Sequence, residues 1–250
     1  PAIMGTLPDG SEQEVKCSVD EPLAAFVFKT IADPFVGRIS IFKVNAGVIK
    51  NNMTVYNASK DKEERIGGLF YLVGKKQIPT ESVSAGDIGA TAKLVYTTTN
   101  DTLCDRKRVV EMPKISFPAP CLSMSVKPLK KGDEDKIISG LVKLQDEDPC
   151  FTVETNPETK EMVISGVGEQ QIKVLASKLK AKYNVDAALA EPRVPYREAI
   201  RKKVKVQGKH KKQSGGHGQY GDVWIEFEPI ESEDLVFEEK VFGGSVPKNF

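Results

Sequence analysis

GRISIFKVNAGVI, residues 37–49, decides how the first part of this 250-residue chain folds. Ile39, Ile41 and, after Phe42, Val44 recur in near-alternation, which is typical of a strand with a buried face. Ala46-Gly47 then supplies a turn. The stretch therefore predicts a β-strand followed by a tight turn, and it carries no helical period.

The sequence around this strand has the same character over residues 1–112. Short β-rich runs are separated by Gly, Asn and Asp, with Gly86 and Gly89 interpreted as turn glycines before a further strand. The runs are NNMTVYNAS (51–59), RIGGLFYLVG (65–74) and SAGDIGATAKLV (84–95). Residues 1–112 therefore predict a small β-barrel. Three prolines in PKISFPAP (113–120) mark a boundary with the next domain.

Residues 113–190 predict a domain of a different class. CLSMSVKP (121–128) and VDAALA (185–190) are interpreted as strands, and CFTVETNPETKEMVIS (150–165) as a hairpin that turns at Asn156-Pro157. Two further segments have helical spacing. They are residues 132–149, with Ile137, Ile138, Leu141, Val142 and Leu144, and residues 168–184, with Ile172, Leu175, Ala176, Leu179 and Tyr183. The predicted order is β-α-β-β-α-β, which is the ferredoxin-like arrangement.

Residues 191–250 begin a third domain. KKVKVQ (202–207) and DVWIEFE (222–228) alternate like strands, and a glycine-rich loop joins them. Charge is unevenly distributed here, although the net charge of the chain is only +1. Nine Lys or Arg residues and one acid lie between Arg193 and Lys212, whereas eight acids and no Lys or Arg lie between Asp222 and Glu239. The basic block indicates a local anionic partner, with a solvated charged face as the alternative.

The glycine-rich loop could belong to one of three kinds of site. A phosphate-binding P-loop needs GxxxxGK[ST] before a helix, and the spacing of Gly215, Gly216 and Gly218 before a strand does not fit. His217 as a general base lacks a nucleophile elbow, so no catalytic residue is predicted. RNA contact fits best, because lysines can pair with phosphates and glycines allow close backbone approach. A plain flexible hairpin tip remains the alternative.

Cysteine and histidine usage excludes further classes. The four cysteines are widely spaced with no CxxC pair, which predicts reduced thiols in a cytoplasmic protein and no metal site. No apolar run or N-terminal leader indicates a membrane segment or signal peptide. Because the chain starts at Pro1 and ends in strand-like sequence, we expect a fragment of a longer protein.

Several motifs in order resemble bacterial elongation factor G. KQSGGHGQYGDVWIEFEP (212–229) is similar to the QxGGRGQYGxV-type start of that family's fourth domain, which VFGGSVPKNF (241–250) continues. The other matching stretches are PLAAFVFKTIADPFVGRISIFKVNAGVIKNN (22–52), KEERIGGLFYLVG (62–74) and VSAGDIGA (83–90) for the second domain, LVKLQDEDPCFTVETNPETKEMVISGVGE (141–169) for the third, and EPRVPYREAI (191–200) for the junction.

The resemblance implies a multidomain β and α+β chain. The expected order is a translational-GTPase β-barrel (1–112), a ferredoxin-like βαββαβ domain (113–190), and a partial, ribosomal-protein-S5-like α+β fourth domain (191–250). It implies no cofactor in this fragment, since GTP and magnesium would bind the missing N-terminal domain of a ribosome-dependent GTPase. It also implies tRNA–mRNA translocation on the ribosome, with ribosomal RNA, ribosomal proteins, tRNA and mRNA as partners. A monomer is expected, with edge pairing of the incomplete fourth domain as a further expectation.

The candidate RNA-contacting residues combine the charge argument with the resemblance. They are Lys209, Lys211, Lys212, Gln213, Ser214, Gly215, Gly216, His217, Gly218, Gln219, Tyr220 and Gly221. Two departures from the family pattern stand out. His217 replaces the usual arginine, and Gln170-Gln171 interrupts the usual GELHLE. They favour, as an alternative, a diverged paralogue in ribosome recycling or protection. A His217-dependent hydrolase and a protein-interaction module are the other hypotheses.

Overall fold

The computed structural model describes residues 2–33, 36–232 and 235–243, and the chain divides into two compact units, Pro1–Val194 and Pro195–Phe250. The strands are Ile3–Thr6 (β1), Glu12–Val15 (β2), Ala24–Asp33 (β3), Gly37–Ala46 (β4), Val48–Lys50 (β5), Thr54–Asn57 (β6), Lys62–Arg65 (β7), Leu69–Val73 (β8), Lys76–Pro79 (β9), Ser82–Ser84 (β10), Ile88–Ala92 (β11), Thr102–Cys104 (β12), Leu122–Pro128 (β13), Thr152–Thr155 (β14), Met162–Gly166 (β15), Ala187–Ala190 (β16), Val204–Lys212 (β17) and Gln219–Phe227 (β18). The helices are Glu134–Glu147 (α1) and Glu169–Tyr183 (α2).

The first unit opens with a barrel-like β domain. Eight antiparallel strands follow the order β7-β6-β12-β3-β4-β11-β8-β9, and β5 pairs with β10 beside them. Val55 of β6 and Leu69 of β8 stand near opposite ends of this order, yet both belong to one core around Phe42. The sheet therefore curves around that core, as the predicted barrel requires.

Strand β4, which lies within the stretch 37–49, is apolar on both faces. Phe42 and Val44 point into the central core, whereas Ile39 and Ile41 pack with Phe70 on the opposite face. The near-alternation in the sequence thus reflects two sets of apolar side chains, one on each face of β4. The second face is covered because the neighbouring strands bring their own apolar side chains to it.

The glycines of the segment before β11 have different roles. Gly86 has a φ of +98° and lies in the turn, as predicted. Gly89 lies inside β11, so its interpretation as a turn glycine is wrong. A Cβ at residue 89 would stand 2.6 Å from Val83 Cγ2 and 3.2 Å from Phe42. Glycine is needed there for close packing of the core.

The N-terminal hairpin of β1 and β2 is tied to the end of the barrel. The N–H of Thr6 donates to the carbonyl of Glu111, and the N–H of Glu111 donates to the carbonyl of Thr6, both at 2.8 Å. The proline-rich segment after the barrel is held as well. The backbone N–H of Ile115 donates to the side-chain oxygen of Asn100, and the backbone carbonyl of Ile115 accepts from the Asn100 side-chain NH₂. The predicted linker is therefore anchored to the barrel.

The second half of this unit has the predicted β-α-β-β-α-β order. Its four strands are arranged β14-β15-β13-β16, all antiparallel, which is the ferredoxin-like topology. The helices bury the apolar positions that the sequence pattern favoured, namely Ile137, Leu141, Leu144, Ile172, Leu175 and Leu179. The stripe on α1 is narrower than predicted, since Ile138 and Val142 are exposed.

The termini of these elements follow local rules. Helix α1 starts with Glu134 and Asp135, which suit the positive end of its dipole, and it ends at Glu147, two residues before Pro149. Helix α2 ends at Tyr183, and the residue that caps it, Asn184, adopts the left-handed backbone conformation. The turn between β14 and β15 forms as predicted, because the Asn156 carboxamide oxygen accepts the N–H groups of Glu158 and Thr159.

Polar contacts join the barrel to the two helices. Arg38 at the start of β4 lies 3.4 Å from the carboxylate of Asp146 on α1. Lys182 on α2 donates to the carbonyl oxygen of Ala32 on β3 at 3.2 Å and pairs with Glu147 at 2.6 Å. These contacts explain why the barrel and the ferredoxin-like domain form a single compact unit.

The ion pairs of Glu147 predict an acid-dependent stability of this unit. Burial raises the pKa of the Glu147 carboxyl, but hydrogen bonds from Lys182 and Lys178 outweigh it and hold the pKa below 4.5. A carboxyl whose pKa is lower in the folded state than in the unfolded state stabilises the fold at pH values above its unfolded-state pKa. This contribution is lost as the pH falls through the folded-state pKa. We therefore expect the thermal midpoint of this unit to fall below about pH 4.5, measured by calorimetry. Glu147→Gln should lower the midpoint at pH 7 and reduce its loss on acidification.

A surface variant, Glu154→Gln on the exposed strand β14, is the control. It should leave both the midpoint at pH 7 and its acid dependence close to those of the unchanged chain. Equal acid dependence in Glu147→Gln and in the unchanged chain would contradict the assignment to Glu147.

The second unit contains one long antiparallel hairpin within its described residues. Strands β17 and β18 pair in register from Val204 with Phe227 to Lys212 with Gln219. Residues 213–218 connect them, so the glycine-rich stretch joins the two predicted strands directly.

Candidate nucleic-acid interface

The pairing of β17 with β18 gives the hairpin two faces, because successive side chains alternate across a strand, and it places lysines of the basic block together with acids of the following segment on one of them. One face, here called the apolar face, carries Val204, Val206, Val223, Ile225 and Phe227. The other, here called the cationic face, carries Lys205, Gln207, Lys209, Lys211, Tyr220, Asp222, Trp224 and Glu226.

Asp222 is the centre of the polar contacts on the cationic face. It lies opposite Lys209, whose ammonium group is 3.6 Å away. The side chain of Gln207 donates to Asp222 Oδ1 at 2.8 Å, and the Tyr220 hydroxyl donates to Oδ2 at 3.2 Å. Lys209 also lies over the Tyr220 ring, 5.9 Å from its centroid. The side chains of Gln207, Lys209 and Tyr220 are thus ordered around one carboxylate.

These contacts fix the protonation of the cluster. The hydrogen bond from Gln207, with those from Tyr220 and Lys209, lowers the pKa of the Asp222 carboxyl. The charge of Asp222 raises the pKa of the Tyr220 hydroxyl. Asp222 is therefore ionised and Tyr220 neutral at pH 7, and part of the charge of Lys209 is compensated within the hairpin.

The three lysines proposed from the sequence are not equivalent. Lys209 and Lys211 lie on the cationic face, whereas Lys212 lies on the opposite face. Within the described residues, Lys211 and Lys212 form no ion pair, in contrast to Lys209 with Asp222. Of these three lysines, the two without an ion pair therefore stand at the end of the hairpin next to the loop.

The basic block is neutralised further from the loop. Lys203 lies within ion-pairing distance of both Glu226 and Glu228, at 2.5 and 3.1 Å. In the first unit, Arg193 pairs with Glu161 at 3.1 Å and belongs to the ferredoxin-like domain. The charge asymmetry of the sequence is thus partly satisfied by the acids that follow it, and the hairpin base resembles an ordinary solvated face.

The loop itself is shorter than the predicted nine residues. Gln219, Tyr220 and Gly221 lie in β18, so the connection consists of Gln213, Ser214, Gly215, Gly216, His217 and Gly218. Gly215 and Gly216 have φ values of +78° and +65°, which glycine adopts without strain. A Cβ on either glycine would meet no atom within 4 Å. All six residues of the loop are exposed, including His217.

Two side chains outside the predicted set share the cationic face. Trp224 is 62% exposed, and the Lys205 ammonium lies 5.8 Å from the centroid of its ring. Tyr220 is 66% exposed on the same face. Exposed aromatic rings beside cations suit stacking with nucleic-acid bases. The sequence signal was present, since Trp224 alternates with Asp222 and Tyr220 along β18, but strand pairing was needed to place lysines beside the rings.

Neither a metal-binding cluster nor a membrane-spanning helix is found among the described residues. No group of three or more His, Cys, Asp or Glu side chains there could hold a metal ion. Among the helices in this part of the chain, neither is long and apolar enough to cross a membrane.

Comparison with known proteins matches three consecutive family models. Residues 22–106 match elongation factor G domain 2, residues 117–191 match Elongation Factor G, domain III, and residues 192–250 match Elongation factor G, domain IV. A crystal structure of a protein from Thermus thermophilus is similar with a TM-score of 0.71 and 32% identity, over 92% of this chain. The match covers 34% of that chain, so the present chain spans about a third of its length.

The fold and the matched domains define a modular translation factor. The chain belongs to the elongation factor G family, and it carries domains 2, III and IV in that order.

One departure from the family pattern has a structural explanation. Gln171, in the first turn of α2, accepts the N–H of Val167 at 2.8 Å and donates to Asp148 Oδ2 at 2.9 Å. It therefore links the start of α2 to the C-cap of α1. Ile172 beside it is fully buried in the core. Gln171 thus has a structural role in the ferredoxin-like domain.

Proposed function

We propose that this chain is the ribosome-binding part of an elongation factor G-like GTPase that promotes tRNA–mRNA translocation. The hairpin of β17 and β18 contacts RNA at the decoding site, where tRNA and mRNA meet, and the remaining surfaces contact ribosomal RNA and ribosomal proteins. The chain acts as a monomer in the cytoplasm.

The observation that carries this proposal is the end of the hairpin. Lys211 and Lys212 stand on opposite faces beside a loop whose backbone is exposed, so cations surround a glycine-rich tip. Phosphates can approach such a tip from either side, and the glycines let the RNA backbone come close to the chain. The match of residues 192–250 to domain IV supports the placement of this tip in a translation factor.

GTP hydrolysis is assigned to a part of the longer factor that lies outside the matched domains 2, III and IV. GTP and magnesium would bind there. The present chain supplies contacts with the ribosome and does not itself hydrolyse GTP.

Neutralising the loop-proximal lysines should weaken ribosome binding in a salt-dependent way. We expect Lys211→Ala/Lys212→Ala to reduce the slope of log affinity against log salt by about 1.4–1.8, because each lysine–phosphate contact contributes about 0.7–0.9. Binding of the chain to small ribosomal subunits between about 50 and 200 mM KCl measures this slope.

Lys209→Ala is the matched control, since Lys209 lies on the same strand but is compensated by Asp222. It should reduce the slope by clearly less than the value of about 0.7–0.9 expected for the loss of one lysine–phosphate contact. An unchanged slope in the double variant, or an equal loss in Lys209→Ala, would contradict the assignment of RNA contact to the end of the hairpin.

Translocation is tested in the complete gene. The complete factor should support growth of a cell depleted of its own elongation factor G, and changes at Lys211 and Lys212 should impair that growth. A factor that binds ribosomes but fails to complement would point to the recycling or ribosome-protection alternative. His217→Arg, which restores the family's usual residue, would show whether His217 is responsible.

A further inference from the structure

A groove on the outside of the barrel is not used by the RNA contact proposed for the hairpin of β17 and β18. Its volume is about 460 Å³, within the range of about 300–1,000 Å³ that is usual for small-molecule sites. Its lining includes Phe26, Phe28, Lys43, Asn45, Ile88 and Met112. Most of these side chains are apolar, with two polar ones among them.

Strand pairing places the lining side chains together. Lys43 of β4 lies directly opposite Phe26 of β3 on one side and opposite Ile88 of β11 on the other. Asn45 follows Lys43 by two residues and therefore lies on the same face of β4. The groove thus crosses three adjacent strands in the middle of the sheet.

Phe28 lines the same groove as Phe26, as expected of two residues that are two positions apart on one strand. A β-bulge follows, because the register of β3 with β4 shifts between Val27 and Lys29 and leaves Phe28 without a cross-strand partner. Bulges are frequent next to binding sites.

Asn45 is the unusual member of the lining. The residue is only 6% exposed, and its side-chain amide forms no hydrogen bond with the described residues. Asn57, which is also buried, donates to Thr97 and Asp101 at 3.1 and 3.0 Å. The Oδ1 and Nδ2 atoms of Asn45 are not among the side-chain atoms that are both sealed from solvent and unpaired, so the amide is open to the groove and a ligand there would replace its hydrogen bonds to water. Asn45 is therefore suited to a ligand that offers both a donor and an acceptor.

We propose that this groove binds an unpaired purine nucleotide. The purine ring packs among Phe26, Phe28 and Ile88, Asn45 pairs with a donor and an acceptor on the edge of the base, and Lys43 contacts the phosphate. Asparagine is matched to the adjacent donor and acceptor of adenine, and a purine fills more of an apolar groove than a pyrimidine. A hydrophobic side chain of a peptide would leave the Asn45 amide unpaired and would not need Lys43.

The proposal concerns the barrel alone and does not depend on RNA contact by the hairpin. Titration of the whole chain with AMP, UMP, adenosine and ribose 5-phosphate tests it. The readout is the change in the NMR chemical shifts of the backbone amides in the barrel. AMP is expected to bind several-fold more tightly than UMP and adenosine. Ribose 5-phosphate should not saturate the groove. Shifts should be confined to β3, β4 and β11.

Variants separate the two polar contacts. Lys43→Met should lower the affinity for AMP to that for adenosine and leave the affinity for adenosine unchanged, because only the phosphate contact is lost. Asn45→Ala should weaken AMP and adenosine alike, by about tenfold. Lys62→Met, at an exposed residue of β7 outside the groove, is the control and should change neither. Phe28→Leu keeps apolar bulk at the bulge and should still weaken both ligands through lost stacking.

Several results would overturn the proposal. One is the absence of AMP binding at about 10 mM, a concentration that would nearly saturate a site with a Kd of about 1 mM. Another is equal binding of ribose 5-phosphate and AMP. A third is unchanged AMP affinity in folded Asn45→Ala. Binding of an apolar peptide in place of AMP would show that the groove is a peptide site.

Discussion

Gly47→Ala should destabilise the barrel by about 2–5 kcal/mol, the largest effect expected of any single change described for this chain. Gly47 has a φ of +74°, and a side chain in that conformation costs about 1–2 kcal/mol. A Cβ there would also stand 2.8 Å from the carbonyl oxygen of Glu21 and 2.8 Å from Leu23 Cα. Both contacts are with backbone, so relief requires movement of the chain and adds about 1–3 kcal/mol.

Gly47 is also held by its own hydrogen bonds. Its N–H donates to the carbonyl of Ser18 at 2.8 Å, and its carbonyl accepts the N–H of Ala85 at 2.9 Å. The residue therefore joins the turn after β4 to two other segments, and it cannot shift without loss of both bonds. Hydrogen-exchange mass spectrometry should show reduced protection in β3 and β4, while α1 and α2 remain protected.

Gly74→Ala is the matched control for this prediction. Gly74 also has a positive φ, +61°, but a Cβ there would meet no atom within 4 Å. It should therefore cost only the conformational strain of about 1–2 kcal/mol. Equal losses of protection in the two variants would contradict the close approach of backbone at residue 47.

Glu64→Ala should destabilise the barrel by about 3 kcal/mol. Glu64 is 5% exposed, and its carboxylate accepts the N–H groups of Val95, Tyr96 and Thr97 at 3.1, 2.6 and 2.9 Å. The Thr97 hydroxyl donates to it as well, at 3.0 Å. Removing the acceptor leaves the buried N–H and hydroxyl of Thr97 without this partner, at a cost of about 1–3 kcal/mol for each that water cannot reach, whereas Val95 and Tyr96 are exposed.

The readout for Glu64 is local as well as global. Amide exchange at residues 95–97 should accelerate before the rest of the barrel opens, because the carboxylate ties this segment to β7. Glu64→Gln keeps one oxygen acceptor and should cost about 1 kcal/mol.

Glu63→Ala tests whether burial is responsible. Glu63 precedes Glu64 in the sequence, is exposed, and pairs with Arg106 at 2.7 Å. An exposed ion pair contributes about 0–1 kcal/mol, so this change should have little effect. If Glu63→Ala were as damaging as Glu64→Ala, the buried hydrogen bonds would not be the cause.

Much of the fold could be predicted from the sequence. The helical spacing of Ile137, Leu141 and Leu144 located α1, and Asn156-Pro157 located the turn of its neighbouring hairpin. These features are recorded locally, since a helix or a turn depends on residues close together in the chain. The order of the elements then follows directly from the order of the patterns.

The candidate site could be predicted only in part. The glycine-rich loop and its flanking lysines are visible in the sequence, but the compensation of Lys209 by Asp222 is not. These residues are thirteen positions apart and become partners through the register of β17 with β18. Charge counting treated the three lysines as equal, whereas strand pairing separates them into one compensated and two uncompensated residues.

The sequence by itself determined the order of strands and helices, the two ferredoxin-like helical faces and the position of the glycine-rich connection. The tertiary structure alone decided which face each strand buries and which charges are compensated. KEER, residues 62–65, illustrates the difference, because nothing local distinguishes buried Glu64 from exposed Glu63. Periodicity records which side chains share a face, while burial and charge pairing depend on segments distant in the chain.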